Sequence, residues 1–382
     1  MKKVLAYTGA AALCLKLTSV KASAWCGVTH RDIIKKSLLL LDKEKKNKIS
    51  AFFKDYTKAL EDGCTAPDSS GDIDHGAGMH YYSCCKPRGK ELSQTNGYYK
   101  DRLGRFLPSA RTLMEQNYAS AVSLYKSGKK NEAMTCFARA AHFVSDMGCP
   151  VHVSNIRCMD RRGNIHNAFE NHAKTTCTVY TAETFDRRLS KLYEKDTFQD
   201  ALNKLVNYSA KFVKQVRTLD PLRFDDVESN TLIHTQQNVM ALMVRFYNDC
   251  NTDSGNFIVE NKNYSFKSFV SGLSITVSSK GLILAELDKD LEQKMKVIWN
   301  SDGSFCLKTA DSSLVAKNLK GYIDPDSEHE PAKFRVISLG KRQFIITVGS
   351  KEFKRVLGCT PSGRLEITKF DPKRASLIWT IN

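Results

Sequence analysis

Residues 142–155 read His-Phe-Val-Ser-Asp-Met-Gly-Cys-Pro-Val-His-Val-Ser-Asn, and residues 166–170 read His-Asn-Ala-Phe-Glu. Five side chains in these two segments can bind a metal ion: His142, Asp146, His152, His166 and Glu170. The first two and the last two of these residues have i,i+4 spacing, which places both side chains of a pair on one face of a helix. The sequence therefore predicts helices that hold one metal ion or two adjacent ions.

The apolar periodicity extends this prediction to a mainly helical domain over residues 25–250. Apolar residues recur at i, i+4 and i+7 in several segments, and residues 132–147 predict a helix with Phe137 and Val144 on its buried face. Between residues 63 and 104 the pattern breaks into Gly, Pro, Ser, Asp and Cys, which predicts a long loop. A loop of that length in a compact domain usually serves a function or is held by metal or disulfides.

Residues 1–24 have the features of a secretory signal peptide. Two lysines precede the apolar run of residues 4–15, and Ala22-Ser23-Ala24 supplies the small residues of a cleavage site. The run is too short to span a bilayer, although an uncleaved anchor is the alternative. We therefore expect a secreted protein that begins at Trp25.

The composition is strongly basic, with 58 Lys and Arg against 41 Asp and Glu and a formal net charge of +17. This balance favours an anionic partner such as a lipid surface, a polyanion or nucleic acid, but it is equally compatible with a well-solvated surface. Eleven of the 12 cysteines follow the signal, and in a secreted chain they predict disulfides. Cys84, Cys85, Cys149 and Cys158 flank the candidate site, but without the C-x-x-C spacing of structural zinc ligands.

A second domain is expected after a polar linker at residues 251–256. Residues 257–382 contain short alternating runs between turn residues, which predict an all-β unit. A weak threefold repeat, averaging about 42 residues, places Trp299, Phe334 and Trp379 at equivalent positions. This domain resembles the β-trefoil of ricin-type lectins, which implies binding to glycans or a surface. The alternative is a trefoil that only packs or binds protein.

The motif His142-x3-Asp146-x3-Pro150-x-His152-x2-Asn155 resembles the signature of the bacterial zinc-dependent phospholipases C. The resemblance covers residues 25–250 and implies an all-α domain that holds three zinc ions. The superfamily also contains the secreted single-strand-specific nucleases of fungi and plants. The expected fold is thus multidomain, with this all-α domain followed by an all-β domain of β-trefoil type.

The resemblance assigns a ligand set to each ion: Asp68, His80, His142 and Asp146 to one; His152, His166 and Glu170 to another; Trp25, His30 and the shared Asp146 to the third. It also implies that Asp68 serves as general base. Asp72, Asp74 and His75 lie in the same loop and remain alternatives to Asp68 and His80. Asn155 is expected to orient a loop, and His172, His234 and His329 to be surface or structural residues.

Trp25 has a chemical reason to be a ligand. An N-terminal residue can chelate through its α-amino nitrogen and its own carbonyl oxygen, and an amine with a pKa near 7.7–8.0 loses its proton readily to a metal. A residue in front of Trp25 would turn this amine into an amide. Signal cleavage after Ala24 would therefore create the ligand.

Phosphodiester hydrolysis is the reaction class that such a site suits best, because zinc activates water near neutral pH and offsets phosphate charge. Lipid is favoured by Asn155, by the 14-residue interval from His152 to His166 and by the appended β domain. The short interval from Trp25 to His30 resembles the nucleases as much. We therefore predict a secreted zinc-dependent phospholipase C that hydrolyses the glycerol–phosphate bond of phospholipids. The alternatives are a single-strand nuclease and a lectin-like adhesin with a structural zinc domain.

Overall fold

A computed structural model describes most of the 382-residue chain. The described residues are 25–76, 79–82, 98–100, 106–156, 164–195, 197–252, 257–260, 262–278, 281–286, 293–310, 315–317, 323–325, 330–340, 342–349, 355–360, 365–371 and 374–382. They form a helical domain followed by an antiparallel β domain, which confirms the predicted order of fold classes. The predicted signal peptide and most of the predicted linker lie outside the described residues.

The helical domain is built from helices of very different lengths. Its described α-helices are α1 Gly27–Lys43, α2 Asn47–Lys54, α3 Thr57–Gly63, α4 Ala110–Lys126, α5 Lys130–Met147, α6 Pro150–Val153, α7 Ile165–Thr176, α8 Arg187–Tyr193, α9 Gln199–Ala210, α10 Val213–Val216 and α11 Pro221–Asn251. Short 3-10 helices occupy Ala66–Asp68 and Cys177–Val179, and a small hairpin joins β1 Tyr98–Lys100 to β2 Phe106–Pro108. None of the described helices is long and apolar enough to cross a membrane.

Helix α5 forms the centre of this domain, close to the predicted 132–147. Its residues from Cys136 to Met147 are buried, and the ring of Phe137 lies 5.0 Å from Phe53 and 4.6 Å from Phe246, measured between centroids. Helix α4 packs along α5 and begins with a capping box in which the Ser109 side chain accepts from the backbone of Thr112. The metal-binding pattern therefore starts from a rigid, buried element.

The β domain consists of short antiparallel strands. They are β3 Asn263–Tyr264, β4 Phe266–Ser268, β5 Ser274–Ser278, β6 Gly281–Ala285, β7 Met295–Trp299, β8 Phe305–Lys308, β9 Val315–Lys317, β10 Ile323–Pro325, β11 Phe334–Gly340, β12 Gln343–Val348, β13 Arg355–Cys359, β14 Leu365–Lys369 and β15 Ile378–Ile381. Strand β4 pairs with β15, β7 with β8, β8 with β11, β11 with β12, and β12 with β15.

Three hairpins, β5–β6, β9–β10 and β13–β14, alternate along the chain with these other strands. The residues of the weak repeat, Trp299, Phe334 and Trp379, are all buried, and both indoles donate to backbone carbonyls. The antiparallel β domain is thus shown, while its assignment as a trefoil stays a prediction.

The cysteines in the described part of the chain carry free thiols. They are Cys26, Cys64, Cys136, Cys149, Cys177, Cys250, Cys306 and Cys359. Cys84, Cys85 and Cys158 lie outside the described residues. The predicted disulfides are therefore not seen among the described cysteines.

Candidate metal centre

Helix α5 presents His142 and Asp146 to the centre of the domain. The two residues lie one turn apart, with His142 Nε2 3.3 Å from Asp146 Oδ2. His142 Nδ1 is 2.8 Å from the carbonyl oxygen of Cys64, an atom that can only accept a hydrogen bond. This contact places a ring proton on Nδ1 and turns Nε2 towards the carboxylate, the orientation that metal-binding histidines have.

The loop that follows α3 brings Asp68 and His80 to the same place. His80 Nδ1 lies 2.9 Å from Asp146 Oδ2 and 3.1 Å from His142 Nε2. Asp68 Oδ1 lies 3.9 Å from both of these ring nitrogens. Two carboxylates and two imidazoles thus converge from α5 and from a loop about 60–75 residues earlier in the chain.

His30, on the first turn of α1, completes the group on its other side. Its Nε2 lies 3.6 Å from Asp146 Oδ1 and 3.9 Å from Asp68 Oδ2, and its ring stacks on that of His142 with centroids 3.9 Å apart. Trp25 is fully buried immediately before α1, and its indole nitrogen donates to the carbonyl of Ser145 at 2.9 Å. The predicted N-terminal ligand, Trp25, is therefore hydrogen-bonded directly to Ser145, the residue before Asp146.

A second group lies on α6 and α7. Glu170 Oε1 is 3.1 Å from His152 Nε2 and 2.9 Å from His166 Nε2. The Nδ1 atoms of these histidines lie 2.9 Å from the carbonyl oxygen of His80 and 2.7 Å from that of Ile156. As with His142, these contacts turn the Nε2 atoms towards a carboxylate.

The first group consists of His30, Asp68, His80, His142 and Asp146, and its charges favour a bound cation. Asp146 is buried, which by itself would raise its pKa, but His142 and His80 more than offset this and hold the pKa well below its usual value. Burial and the neighbouring His142 lower the pKa of His30, so this imidazole is neutral at neutral pH. A buried carboxylate beside imidazole nitrogens offers a donor set for a divalent ion, which would accept electron pairs from both.

Buried polar atoms without hydrogen-bond partners in the first group also support a bound cation. Both ring nitrogens of His30 and Oδ1 of Asp146 are buried and lack a hydrogen-bond partner among the described residues. Such atoms each cost about 1–3 kcal/mol when nothing compensates them. Imidazole nitrogen and carboxylate oxygen are the donors that zinc takes in proteins, so the residues present fit zinc.

Comparison with known protein families gives the same answer. The family model described as zinc dependent phospholipase C matches residues 29–219, which is half of the chain. The chain belongs to this family. It is accordingly a zinc-dependent phosphodiester hydrolase, and the resemblance seen in the sequence is confirmed.

Solved structures give weaker likenesses. The α-toxin of Clostridium perfringens, from an avian strain, has 15% identity and a TM-score of 0.47, over 90% of this chain and 96% of that one. The α-toxin of Clostridium absonum has 13% identity and a TM-score of 0.46 over the same shares. A ricin B-like lectin of Macrolepiota procera covers 33% of this chain and 97% of its own, with 13% identity and a TM-score of 0.28. No curated protein matches the sequence.

The alternatives in the loop are engaged elsewhere. Asp72 and Asp74 both accept hydrogen bonds from Arg139, and His75 Nδ1 lies 3.2 Å from the carbonyl of Pro67. Asp68, in contrast, lies within 4 Å of His30, His80 and His142. The structure thus brings together the nine residues that the family resemblance assigns, while their roles as ligands remain a proposal.

Cys149 also lies beside the second group. Its sulfur and ligand atoms of His152 and Glu170 all lie within 4.8 Å of one another. Burial raises the pKa of this thiol well above its usual value, so without a metal it is protonated. Its position directly before Pro150-Val151-His152 was visible in the sequence, but only the fold shows its proximity to Glu170.

Two further residues lie near the site, and the contact made by Tyr81 was not predicted. The ring of Tyr81 stacks on His152, with centroids 4.8 Å apart and planes 20° from parallel. Asn155 has a left-handed backbone with φ 51°, which Asn adopts more readily than most residues. It follows the C-cap of α6 and precedes Ile156, whose carbonyl contacts His166, while its role in orienting a loop stays a prediction.

The remaining described histidines lie apart from this centre. His172 Nδ1 is 2.9 Å from Glu228 Oε1, and Asp225 accepts a hydrogen bond from Tyr180 beside it. His234 stacks on Tyr208 with centroids 4.0 Å apart. The structural or surface roles expected of both histidines stay predictions, and His329 lies outside the described residues.

Proposed function

We propose that this chain is a secreted phospholipase C that holds three zinc ions and hydrolyses the glycerol–phosphate bond of phospholipids. The observation that carries the proposal is the convergence on Asp146 of His30, His80 and His142, all buried. Family membership supplies the reaction class. The clusters of buried ligand atoms around Asp146 and Glu170 support the metal sites.

Three ligand sets account for the arrangement: Asp68, His80, His142 and Asp146 for one ion; His152, His166 and Glu170 for another; Trp25, His30 and Asp146 for the third. Asp146 presents Oδ1 to His30 and Oδ2 to His80 and His142, so its carboxylate would belong to two of the proposed ligand sets. Zinc bound at these residues would supply Lewis acidity, activating water near neutral pH and offsetting the charge of the phosphodiester.

Asp68 is placed to move a proton. Its side chain is 10% exposed, more than those of the other proposed ligands, so its carboxylate is the one nearest to solvent. Burial and the carboxylate of Asp146 raise its pKa, although His142 and His80 oppose the shift. A carboxylate at this position can accept a proton from water, which suits a general base.

The test is a comparison of two phosphodiesters with the zinc-loaded protein. We expect release of the phosphorylated head group from short-chain phosphatidylcholine and no digestion of single-stranded DNA. Replacing Asp68 with Asn should remove most of the lipid activity, since it removes both a ligand and the base. Digestion of DNA without head-group release would instead support the single-strand nuclease.

The β domain is proposed to bind a glycan or a surface. Its support is the alternation of three hairpins with the other strands and the resemblance of the repeat to ricin-type lectins. Retention on immobilised glycans or vesicles would test it, with Asp146→Asn as the control that abolishes hydrolysis only. Surface binding by a wild type that never hydrolyses lipid or DNA would favour the adhesin. Secretion is tested by sequencing the N-terminus of exported protein, which should begin at Trp25.

A further inference from the structure

A buried ionic network joins the metal-binding loop to both domains. At its centre is Asp74, which is 1% exposed. Its Oδ2 accepts hydrogen bonds from Arg139 Nη2 at 2.8 Å and from Asn117 Nδ2 at 2.9 Å. Its Oδ1 accepts from Arg335 Nη1 at 3.0 Å. The carboxylate of Asp74 is therefore shared between the helical domain and the β domain.

Arg335 reaches this carboxylate from strand β11. It is 5% exposed, and its Nη2 donates to the backbone carbonyl of Asp302 at 2.8 Å. The adjoining turn packs closely on the helical domain, where Ser120 Oγ donates to the carbonyl of Gly303 at 2.7 Å. The guanidinium is thus held at a tight interface, with Asp74 as its only ionic partner among the described residues.

The position of Asp74 along the chain links this interface to the metal ligands. It lies six residues after Asp68 and six before His80, in a segment whose described residues form neither helix nor strand. Arg139 forms ion pairs with both Asp72 and Asp74, and it lies on α5 three residues before His142. Side-chain contacts rather than backbone ladders therefore hold the loop against α5.

The charges explain why these contacts are strong. Burial alone would raise the pKa of Asp74, but Arg139 and Arg335 reverse this and hold the pKa far below its usual value. A buried carboxylate that is ionised and bonded on both oxygens has one well-defined orientation. Removing Arg335 takes away the hydrogen bond to Oδ1 and loosens the segment between the two ligands.

We propose that Arg335 of the β domain is a positioning residue for the zinc ion assigned to Asp68 and His80, because through Asp74 it fixes the loop that carries both ligands. This inference rests on the metal site of the proposed function and adds to it a role for the second domain. The β domain is then part of what holds the metal, in addition to any part in surface binding.

The experiment measures zinc release from the full-length chain into excess chelator. We expect Arg335→Met to release one of the zinc ions about tenfold faster than wild type, or more. Changes at residues that orient metal ligands alter metal affinity by this much. Zinc release from Arg335→Lys should be faster than from wild type and slower than from Arg335→Met. The lysine ammonium group can pair with Asp74, but it lacks the planar guanidinium that also donates to the carbonyl of Asp302. Lys333→Met is the matched control, because Lys333 forms an exposed ion pair with Asp302 on the same face.

A double-mutant cycle separates positioning from mere packing of the domains. In an Asp74→Asn background the guanidinium has lost its ionic partner, so Arg335→Met should then change zinc release by less than about twofold. An equal effect of Arg335→Met in both backgrounds would overturn the proposal. If Arg335→Met does not fold, the same comparison with Arg335→Lys decides the question.

The outcome is distinct from failure of the proposed function. A correctly trimmed wild type that holds no zinc would overturn the proposed function and this inference together. A wild type that holds zinc and releases it at the same rate as Arg335→Met would overturn this inference alone. The readout is bound metal, so it does not depend on which phosphodiester is cleaved.

Discussion

The indole nitrogen of Trp25 donates a hydrogen bond to the backbone carbonyl of Ser145, 2.9 Å away and 120 residues later in the chain. Ser145 immediately precedes Asp146, and the ring of Trp25 also contacts Phe169, with centroids 5.4 Å apart. The side chain thus fixes the predicted N-terminal residue against the helix that carries the shared carboxylate. The large aromatic side chain of Trp25, which donates this hydrogen bond, therefore has a structural role that is separate from metal binding.

Replacing Trp25 with Phe tests that reason. Phe keeps a ring beside Phe169 but has no N–H group, so the bond to Ser145 is lost. We expect the free energy of unfolding to fall by about 1 kcal/mol and one zinc ion to be released faster. Denaturant unfolding of the zinc-loaded protein and release into a chelator measure the two effects. Unchanged stability and unchanged release would show that the bond contributes nothing.

An added N-terminal residue tests the amine of Trp25 directly. A chain that begins Ala-Trp has an amide where a chain that begins at Trp25 has an amine, and an amide nitrogen is a poor ligand. The extended chain should bind two zinc ions where the trimmed chain binds three. Metal analysis of both chains, prepared from one precursor by two proteases, provides the comparison. Equal zinc content would exclude the amine as a ligand.

Asp146→Asn should remove two ions together, because each oxygen of this carboxylate faces a different ligand set. Asn has nearly the same size but is neutral and offers one oxygen. We expect zinc content to fall from three ions to one, with the remaining ion at His152, His166 and Glu170. Asp225→Asn, which alters the separate group around His172, is the control and should leave zinc content unchanged. Loss of a single ion would show that Asp146 is not shared.

Local sequence patterns predicted the elements that carry the site. The helix Lys130–Met147 follows from apolar spacing, and the i,i+4 pair on it, His142 and Asp146, follows from helix geometry. The β domain was likewise visible in its alternating runs. Each of these features depends on residues that are near one another in the chain.

The contacts that fix the ligands could not be predicted in the same way. Asp74 and Arg335 meet across 261 residues, and neither has a pattern that identifies its partner. The carbonyl oxygens of Cys64, His80 and Ile156 orient three histidines, but backbone atoms leave no signal in residue type. The sequence therefore left Asp68 and its neighbours as alternatives, whereas the fold places Asp72 and Asp74 on Arg139.

His234 should make the protein less stable in acid. Burial lowers its pKa from 6.5 to about 4, partly opposed by Asp186. The unfolded chain therefore binds the proton more readily, so stability is complete above about pH 6.5 and falls as the pH drops towards 4. With allowance for partial exposure, the loss is about 2 kcal/mol.

His234→Phe isolates this contribution, because Phe keeps a ring against Tyr208 but cannot titrate. Unfolding of both proteins in denaturant at pH 7.5 and pH 4.5 gives the comparison. The loss of stability between the two pH values should be smaller in the variant. Zinc loss in acid affects both proteins alike, so an equal loss in the two would contradict the assignment.

Gly148 lies where helix α5 ends against helix α11, between Asp146 and the turn that carries His152. A Cβ atom at this position would be 2.0 Å from Thr235 Oγ1 and 3.0 Å from two other Thr235 atoms. Because the backbone φ is −82°, an ordinary value, the need for glycine here is steric. Gly148→Ala should therefore destabilise the protein by about 1–3 kcal/mol as the two helices move apart.

Thr235→Ala removes the nearest of these clashing atoms and provides the test of that steric cause. Alone it should be mildly destabilising, since the Thr235 hydroxyl donates to the carbonyl of Thr231 at 2.6 Å. Combined with Gly148→Ala it should recover part of the lost stability, so that the double variant is more stable than the two single effects added together predict. Denaturant midpoints of the four zinc-loaded proteins measure this coupling. Strict additivity would mean that the close approach of α5 and α11 at Gly148 is not what makes glycine necessary.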